Sequence, residues 1–253
     1  MRLKGTTHLP GLFAAGLLSL GLATVSMAQE SEPSEMMKSF LDTPKQQIAT
    51  AGAHRQKSDP HVNLSAQKMA QVALQHLDES RPQLAFETLN SAIAKYPENA
   101  MLLSLRASLF LQNQQTSLAL ADLNRAIDLN PHDPVLFTNR AQALRQFGRN
   151  DDARRDLDQA IRLEPKFVAA HFNRGSLYYE SAKFDLALED FNRCVELEPE
   201  VPAGYFNRAS TFDALGERDR AISDLRHFLT LEPEASWAQI AKDMLKQWDT
   251  GQS

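Results

Sequence analysis

The chain of 253 residues contains a single cysteine, Cys194. A lone cysteine cannot form an internal disulfide, so packing alone must hold the fold, even in an oxidising compartment. The paired cysteines of a structural zinc site are excluded for the same reason. Glycine is also scarce, with 10 residues, and none of them belongs to a phosphate-binding loop.

Motifs of catalysis are missing as well. The sequence has neither the His-Glu-x-x-His pattern of a zinc protease nor the turn that presents a nucleophilic serine. The histidines after residue 28 are scattered, with none three or four residues from another: His54, His61, His76, His132, His171 and His227. We therefore expect no enzymatic activity, no bound metal and no cofactor.

Long apolar runs are absent except near the N-terminus, from Leu12 to Val25. Arg2 and Lys4 precede this run, and Ser26-Met27-Ala28 ends it with small residues at the places that a signal peptidase reads. The pattern predicts a signal peptide over residues 1–28 and export to a bacterial periplasm, with secretion as the alternative. An uncleaved anchor is disfavoured because the run is shorter than the ~20 residues that a membrane span needs.

Positive charge is in deficit, with 27 Lys and Arg against 32 Asp and Glu, a formal charge of -5. Cleavage after Ala28 would remove Arg2 and Lys4, the only formal charges of that segment, and take the value to -7. An acidic chain favours neither nucleic acid nor an anionic membrane surface. We expect another protein as the partner, without nucleic acid and without membrane insertion after cleavage.

The segment 29–63 has no sustained apolar periodicity and is rich in Ser, Glu, Gln, Lys and Pro. This composition predicts a flexible linker. Met36, Met37, Phe40 and Leu41 cluster within it at helical spacing. A short helix that docks on the rest of the chain or on a partner is therefore an alternative to a solvated tether.

Five prolines stand 34 residues apart and organise most of the chain: Pro97, Pro131, Pro165, Pro199 and Pro233. A period of 34 is typical of helix-turn-helix solenoids, in which each unit buries its apolar face on the next. Cut at the prolines, the repeats span 64–97, 98–131, 132–165, 166–199 and 200–233, and they leave a C-terminal helix and tail at 234–253. With each proline as position 32, the first positions are Ala66, Ala100, Pro134, Val168 and Pro202.

Within this register, small residues recur where two helices must approach closely. Position 8 is Ala73, Ala107, Ala141, Gly175 and Ala209, and position 20 is Ala85, Ala119, Ala153, Ala187 and Ala221. Large apolar residues, which fill the space between helices, recur at position 24 as Leu89, Leu123, Leu157, Phe191 and Leu225.

The pattern from Ala66 to Glu234 resembles the tetratricopeptide repeat family. The resemblance implies an all-α fold, a right-handed superhelical solenoid of five helix-turn-helix repeats followed by a C-terminal capping helix. The chain departs from the family pattern at position 4, which lacks tryptophan, and at position 7, where arginine replaces leucine in repeats two to five.

The positive charges of these arginines, at a position that is apolar in the family, require negative partners nearby. In an antiparallel helix pair, residues equidistant from the turn lie level, so position 7 should meet position 23. Position 7 is Arg106, Arg140, Arg174 and Arg208, and position 23 of the same repeats is Asp122, Asp156, Asp190 and Asp224, whereas the first repeat has Val72 and Thr88. We expect a ladder of structural ion pairs. A catalytic row of arginines is the alternative.

The segment after Pro233 carries one apolar helical stripe: Trp237, Ile240, Ala241, Met244, Leu245 and Trp248. A terminal repeat would otherwise leave its apolar face in water. The stripe therefore predicts a capping helix.

The resemblance also implies a binding face. In the family, positions 2, 5, 6, 9, 12 and 13 of the first helices line a concave groove that takes peptides or a partner's helix. Here these include Thr138, Asn139, Gln142, Arg145, Phe172, Asn173, Ser176, Tyr179, Phe206, Asn207, Ser210 and Asp213. Asparagine offers a donor and an acceptor to a peptide backbone, and aromatic rings offer apolar anchors. An aromatic residue followed by asparagine is also part of the family's framework, which is the alternative.

The sequence thus predicts a non-catalytic interaction scaffold or adaptor of the bacterial cell envelope that binds a partner in the concave groove. The alternative is a structural subunit of a larger complex, or a homodimer, that uses the convex face and leaves the groove empty.

Overall fold

The computed structural model describes residues 60–232 and 237–249. The predicted signal peptide and residues 29–59 of the predicted linker lie outside the described residues. Throughout the described part the chain is helical, without a strand, and eleven helices follow one another: α1 (Pro60–Asp78), α2 (Pro82–Lys95), α3 (Ala100–Gln112), α4 (Thr116–Leu129), α5 (Pro134–Gln146), α6 (Asn150–Leu163), α7 (Val168–Glu180), α8 (Phe184–Leu197), α9 (Pro202–Ala214), α10 (Arg218–Leu231) and α11 (Ala238–Asp249).

The helices form five antiparallel pairs that stack in chain order, an all-α repeat solenoid. The first helix α1 starts at Pro60, inside the segment predicted as linker, because proline is favoured at the first position of a helix. Short polar side chains cap the starts of two later helices, α3 and α5. The side chain of Asn99 accepts a hydrogen bond from the backbone N–H of Leu102 (3.1 Å), and that of Asp133 accepts one from Val135 (3.0 Å).

The core follows the predicted register. Alanines at positions 8 and 20 and the large residues at position 24 are almost fully buried. Gly175 shows why one repeat departs from alanine at position 8. A Cβ atom there would lie 3.0 Å from Cε1 of Phe191, which replaces the leucine found at position 24 in other repeats. The larger ring therefore requires the smaller residue opposite.

The last helix α11 packs on the fifth pair. Trp237, which directly precedes α11, is buried, and its ring centroid lies 4.3 Å from that of Phe228 and 5.1 Å from that of Phe206. Ala238 and Ala241 are buried on the same side, while Gln239 and other polar residues of α11 are exposed. A helix with a buried apolar side and a polar outer side ends a solenoid without leaving apolar surface in water.

Within the described residues, no helix combines the length and the apolarity that crossing a membrane requires. Cys194 is buried against its own core, and burial raises the pKa of its thiol.

The turn between the helices of each pair contains one residue with positive φ at the same repeat position: Ser80, Gln114, Gly148, Ala182 and Gly216. Glycine adopts this conformation freely, whereas a residue with a Cβ atom is strained. A Cβ atom at Gly148 would meet nothing within 4 Å, so conformation alone decides the preference there.

We expect Ala182→Gly to raise the free energy of unfolding by about 1 kcal/mol, because it relieves this strain. Gly148→Ala, the reverse change in another repeat, should lower it by a similar amount. Urea unfolding followed by circular dichroism measures both, and two changes of the same sign would contradict the explanation.

A second prediction concerns the cap. Trp237→Ala should lower the free energy of unfolding by roughly 3–5 kcal/mol, the usual cost of removing a buried large aromatic side chain. Trp248→Ala is the matched control, since Trp248 is only partly buried. Its ring centroid lies 5.5 Å from the guanidinium carbon of Arg218. An equal effect of the two changes would show that α11 is not held by Trp237.

Candidate functional site

The four arginines at position 7 lie against the aspartates at position 23 of their own repeats. In each pair, Nε and Nη2 of the arginine donate to the two carboxylate oxygens of the aspartate. The two distances are 2.8 and 2.8 Å for Arg106–Asp122, 2.7 and 2.8 Å for Arg140–Asp156, 2.8 and 2.8 Å for Arg174–Asp190, and 2.6 and 2.8 Å for Arg208–Asp224. The aspartates are buried and the arginine side chains are about one-fifth exposed.

Each arginine also reaches the preceding repeat, a contact that the sequence reasoning missed. The Nη1 atoms of Arg106, Arg140, Arg174 and Arg208 donate to Asn90, Asn124, Asp158 and Asn192 at 2.9, 2.9, 2.8 and 3.1 Å. All four acceptors occupy position 25, and this recurrence was the signal available in the sequence. The fifth repeat, which no further described pair follows, has Arg226 there instead. Each arginine thus joins two successive repeats.

Aromatic rings complete these sites. The guanidinium carbons of Arg106, Arg140 and Arg174 lie 5.6, 5.7 and 6.0 Å from the ring centroids of Phe110, Phe137 and Tyr178, and that of Arg208 lies 5.5 Å from the centroid of Tyr205. Hydrogen bonds to the aspartates raise the pKa of all four arginines. With their nitrogens paired, they are structural groups, which disfavours the catalytic alternative.

The site of Arg174 is the most highly charged of the four. Asp190 accepts from Arg174 and also lies 2.9 Å from Nδ1 of the buried His171, while Asp158 accepts from both Arg174 and Arg154. His171 occupies position 4, at which the family pattern has tryptophan. Its other ring nitrogen lies 3.1 Å from the carbonyl oxygen of Pro165.

For half of the predicted groove residues the assignment to a binding face is wrong, because they are buried: Thr138, Phe172, Ser176, Phe206, Asn207 and Ser210. At the last pair the cap contributes to this burial, since the ring of Phe206 lies 5.1 Å from that of Trp237 between centroids. Phe172 packs edge to face against Phe191, with 5.9 Å between the ring centroids. Asn207 is 0% exposed and donates to the carbonyl of Ala203. Buried side chains cannot contact a partner, so the interpretation of these residues as family framework is the better one.

The other six predicted residues are partly exposed: Asn139, Gln142, Arg145, Asn173, Tyr179 and Asp213. Asn139 donates to Oγ of Ser104 at 3.0 Å and Asn173 to the carbonyl of Ala169 at 2.7 Å. Neither carboxamide oxygen accepts a hydrogen bond from another residue that the structure describes. The two oxygens are acceptors available to a ligand.

Charge on this face is sparse. Arg145 lies 3.7 Å from the carboxylate of Glu180. Burial, together with the negative charge of Asp213, raises the pKa of Tyr179. Neutral amides and a tyrosine, rather than a run of like charges, therefore characterise this part of the face.

A pocket that the sequence reasoning missed lies on the same face, toward the N-terminal end. It has a volume of about 60 Å³ between α1 and α3, with Leu89 of α2 and Asn139 of α5 also in its lining. Its partly exposed apolar lining is Leu74, Leu77 and Leu105, and Ser108 and Gln112 add polar groups. We call this feature the leucine pocket. The sequence did contain a signal for this pocket. In the first two repeats leucine occurs at position 6 (Leu105), position 9 (Leu74) and position 12 (Leu77), whereas the same positions are mostly polar in later repeats.

The second helices carry two other surface features. Leu84, Leu118 and Leu186 are about two-fifths to one-half exposed, and all three occupy position 19. In the third repeat this position is Asp152, which borders a cleft of about 310 Å³ and pairs with Arg149 and Arg155. These guanidiniums already share one carboxylate, so the cleft is not a strong anion site.

No group of three potential metal ligands occurs among the described residues.

The chain belongs to the tetratricopeptide repeat family. The family model matches residues 73–134, 138–202 and 174–236, which together cover more than half of the chain. Among curated proteins, no sequence matches it significantly.

Solved structures share the fold at low sequence identity. The thermophilic TPR protein TTC0263 of Thermus thermophilus is 18% identical with a TM-score of 0.62, over 71% of this chain and 98% of that one. MamA of Desulfovibrio magneticus is 14% identical with a TM-score of 0.56, over 68% and 97%. YrrB, described as a TPR protein with an unusual peptide-binding site, is 18% identical with a TM-score of 0.52, over 69% and 90%.

We expect Arg174→Leu to lower the free energy of unfolding by about 3 kcal/mol, because it leaves Asp190 buried beside an apolar side chain and removes a partner from Asp158. Arg140→Leu, the same change with Asn124 in place of an aspartate, should cost less. Urea unfolding of both variants measures the difference, and equal costs would show that Asp158 adds no more than His171 restores to Asp190.

Proposed function

We propose that the chain is a non-catalytic scaffold or adaptor of the bacterial cell envelope, which binds an extended peptide or a helix of another protein along its concave face. The observation that carries the proposal is the leucine pocket, which adjoins the available carboxamide oxygen of Asn139. An apolar depression with a few polar groups at its edge is the usual form of a ligand site.

The two halves of this face have complementary roles. An aliphatic side chain of the partner enters between Leu77 and Leu105, which are partly exposed among the described residues, and buries both. The amide oxygens of Asn139 and Asn173, in successive repeats, accept hydrogen bonds from backbone N–H groups of the same segment. The leucines of the pocket contribute most of the affinity for the partner, and the two carboxamides fix the direction in which the bound segment runs.

The envelope location rests on the N-terminal sequence. A basic start, the apolar run from Leu12 to Val25 and the small residues ending at Ala28 support export. A fold that needs no disulfide, with Cys194 buried, is compatible with a periplasm. The peptide-binding site ascribed to YrrB supports a peptide ligand by analogy of fold alone.

A second candidate function has an observation of its own. Leu84, Leu118 and Leu186 repeat at the same position of the second helices and are exposed. They favour a structural subunit, or a homodimer, that uses the outer face and leaves the concave face empty.

One matched pair of variants separates the two functions. Leu105→Asp places a carboxylate in the leucine pocket and should weaken binding of the partner by at least tenfold, since an apolar pocket disfavours a charge. Leu118→Asp makes the same change on the outer face and should leave the affinity unchanged.

The partner is first captured by cross-linking the tagged protein in its native compartment, identified, and purified. Calorimetric titration against wild type and both variants then gives the affinities, with circular dichroism to show that each variant is folded. Loss of binding in Leu118→Asp alone would overturn the concave-face proposal in favour of the subunit.

A further inference from the structure

The leucine pocket is lined in part by α1, the helix that the upstream chain joins, but toward the opposite end of that helix. Its lining includes Leu74 and Leu77 of α1, the helix that begins at Pro60. At 1.5 Å per residue, Leu77 lies about 26 Å along the helix from Pro60. Residues 29–59 therefore join the first helix pair of the solenoid, which also lines the pocket.

The upstream segment contains one compact apolar cluster. Met36, Met37, Phe40 and Leu41 lie within six residues, in surroundings rich in Ser, Glu, Gln and Lys. The spacing of Met37, Phe40 and Leu41 is i, i+3, i+4, the spacing that places side chains on one side of a helix. A polar tether has no need of such a cluster, so the cluster calls for an apolar site.

We propose that residues 36–41 occupy the leucine pocket of their own chain, so that an external partner must displace them. Competition with a partner rests on the proposed function of the concave face, whereas the contact itself does not. The proposal assigns the cluster a site.

The tether has the length that the contact needs. Residues 42–59 separate Leu41 from Pro60. Eighteen residues can reach at most roughly 60 Å, which exceeds the distance along α1. A tether that can reach its site raises the effective concentration, up to the order of millimolar for short linkers. An intrachain contact with a dissociation constant below that concentration is then mostly formed.

The chemistry of the two surfaces also fits. The pocket has a volume of about 60 Å³, so it admits one side chain at a time. Unbranched methionine adapts to irregular apolar gaps. Gln112 and Ser108 in the lining leave polar partners for the backbone beside the inserted side chain.

Cross-linking within the purified full-length protein, as its host processes it, tests the contact. Lys38→Cys is combined with Gln112→Cys in the pocket lining, or with Glu87→Cys, an exposed residue of α2 that does not line the pocket. A short bismaleimide links the thiols, and native Cys194 is buried and does not compete. We expect the first pair to form an intrachain link at least ten times faster than the second.

Adding Met37→Asp and Phe40→Asp to the first pair should abolish this advantage. Equal rates for the two pairs, or a rate that these aspartates leave unchanged, would overturn the proposal. Links between two chains that grow with protein concentration would assign the pocket to a second copy, which also overturns it. No partner is present, so failure here leaves the proposed function standing. A confirmed link with no loss of partner affinity in Leu105→Asp would remove the proposed function alone.

Discussion

The bidentate pair of arginine and aspartate is the interaction on which the stacking of this solenoid depends. An arginine such as Arg140 uses Nε and Nη2 for Asp156 within its own repeat and Nη1 for Asn124 of the preceding one. The planar guanidinium fixes both contacts at once, so the angle between two repeats is set by one side chain. A buried ion pair adds little net stability compared with apolar residues. Its contribution here is to select one arrangement of neighbouring repeats, and that arrangement determines the shape of the concave face.

The same constraint decides which parts of that face a partner can reach. The residues at position 5, such as Phe172, are buried, and at Ser104 the next first helix contributes a direct contact through Asn139. Asparagines at position 6 keep partial exposure in the middle of the solenoid, but Asn207 in the last pair is fully buried. Ligand access therefore decreases from the N-terminal to the C-terminal end. The leucine pocket at the N-terminal end is the place where stacking leaves apolar side chains incompletely covered.

Periodicity allowed much of the fold to be predicted. Alanine at fixed positions and the 34-residue spacing of prolines such as Pro97 determine the register, and the joint occurrence of Arg174 and Asp190 in one repeat led to their pairing. Contacts between repeats were harder to predict, because they depend on the rotation of one helix pair relative to the next. Asn90 therefore went unrecognised as the acceptor of Arg106. The contact of Phe206 with Trp237 depends on where the cap lies, and a local sequence pattern does not contain that information.

The two ends of the solenoid solve the same physical problem differently, and the difference bears on function. At the C-terminal end, Trp237 fills the exposed surface and α11 presents polar residues outward, so the end is closed to ligands. At the N-terminal end, no repeat precedes α1 within the described residues, and position 7 is Val72, about half exposed, instead of an arginine. A charge there would have no preceding acceptor, so a neutral residue is the physically consistent choice. Apolar surface consequently collects around α1, and the chain that continues upstream of Pro60 is the nearest material to cover it.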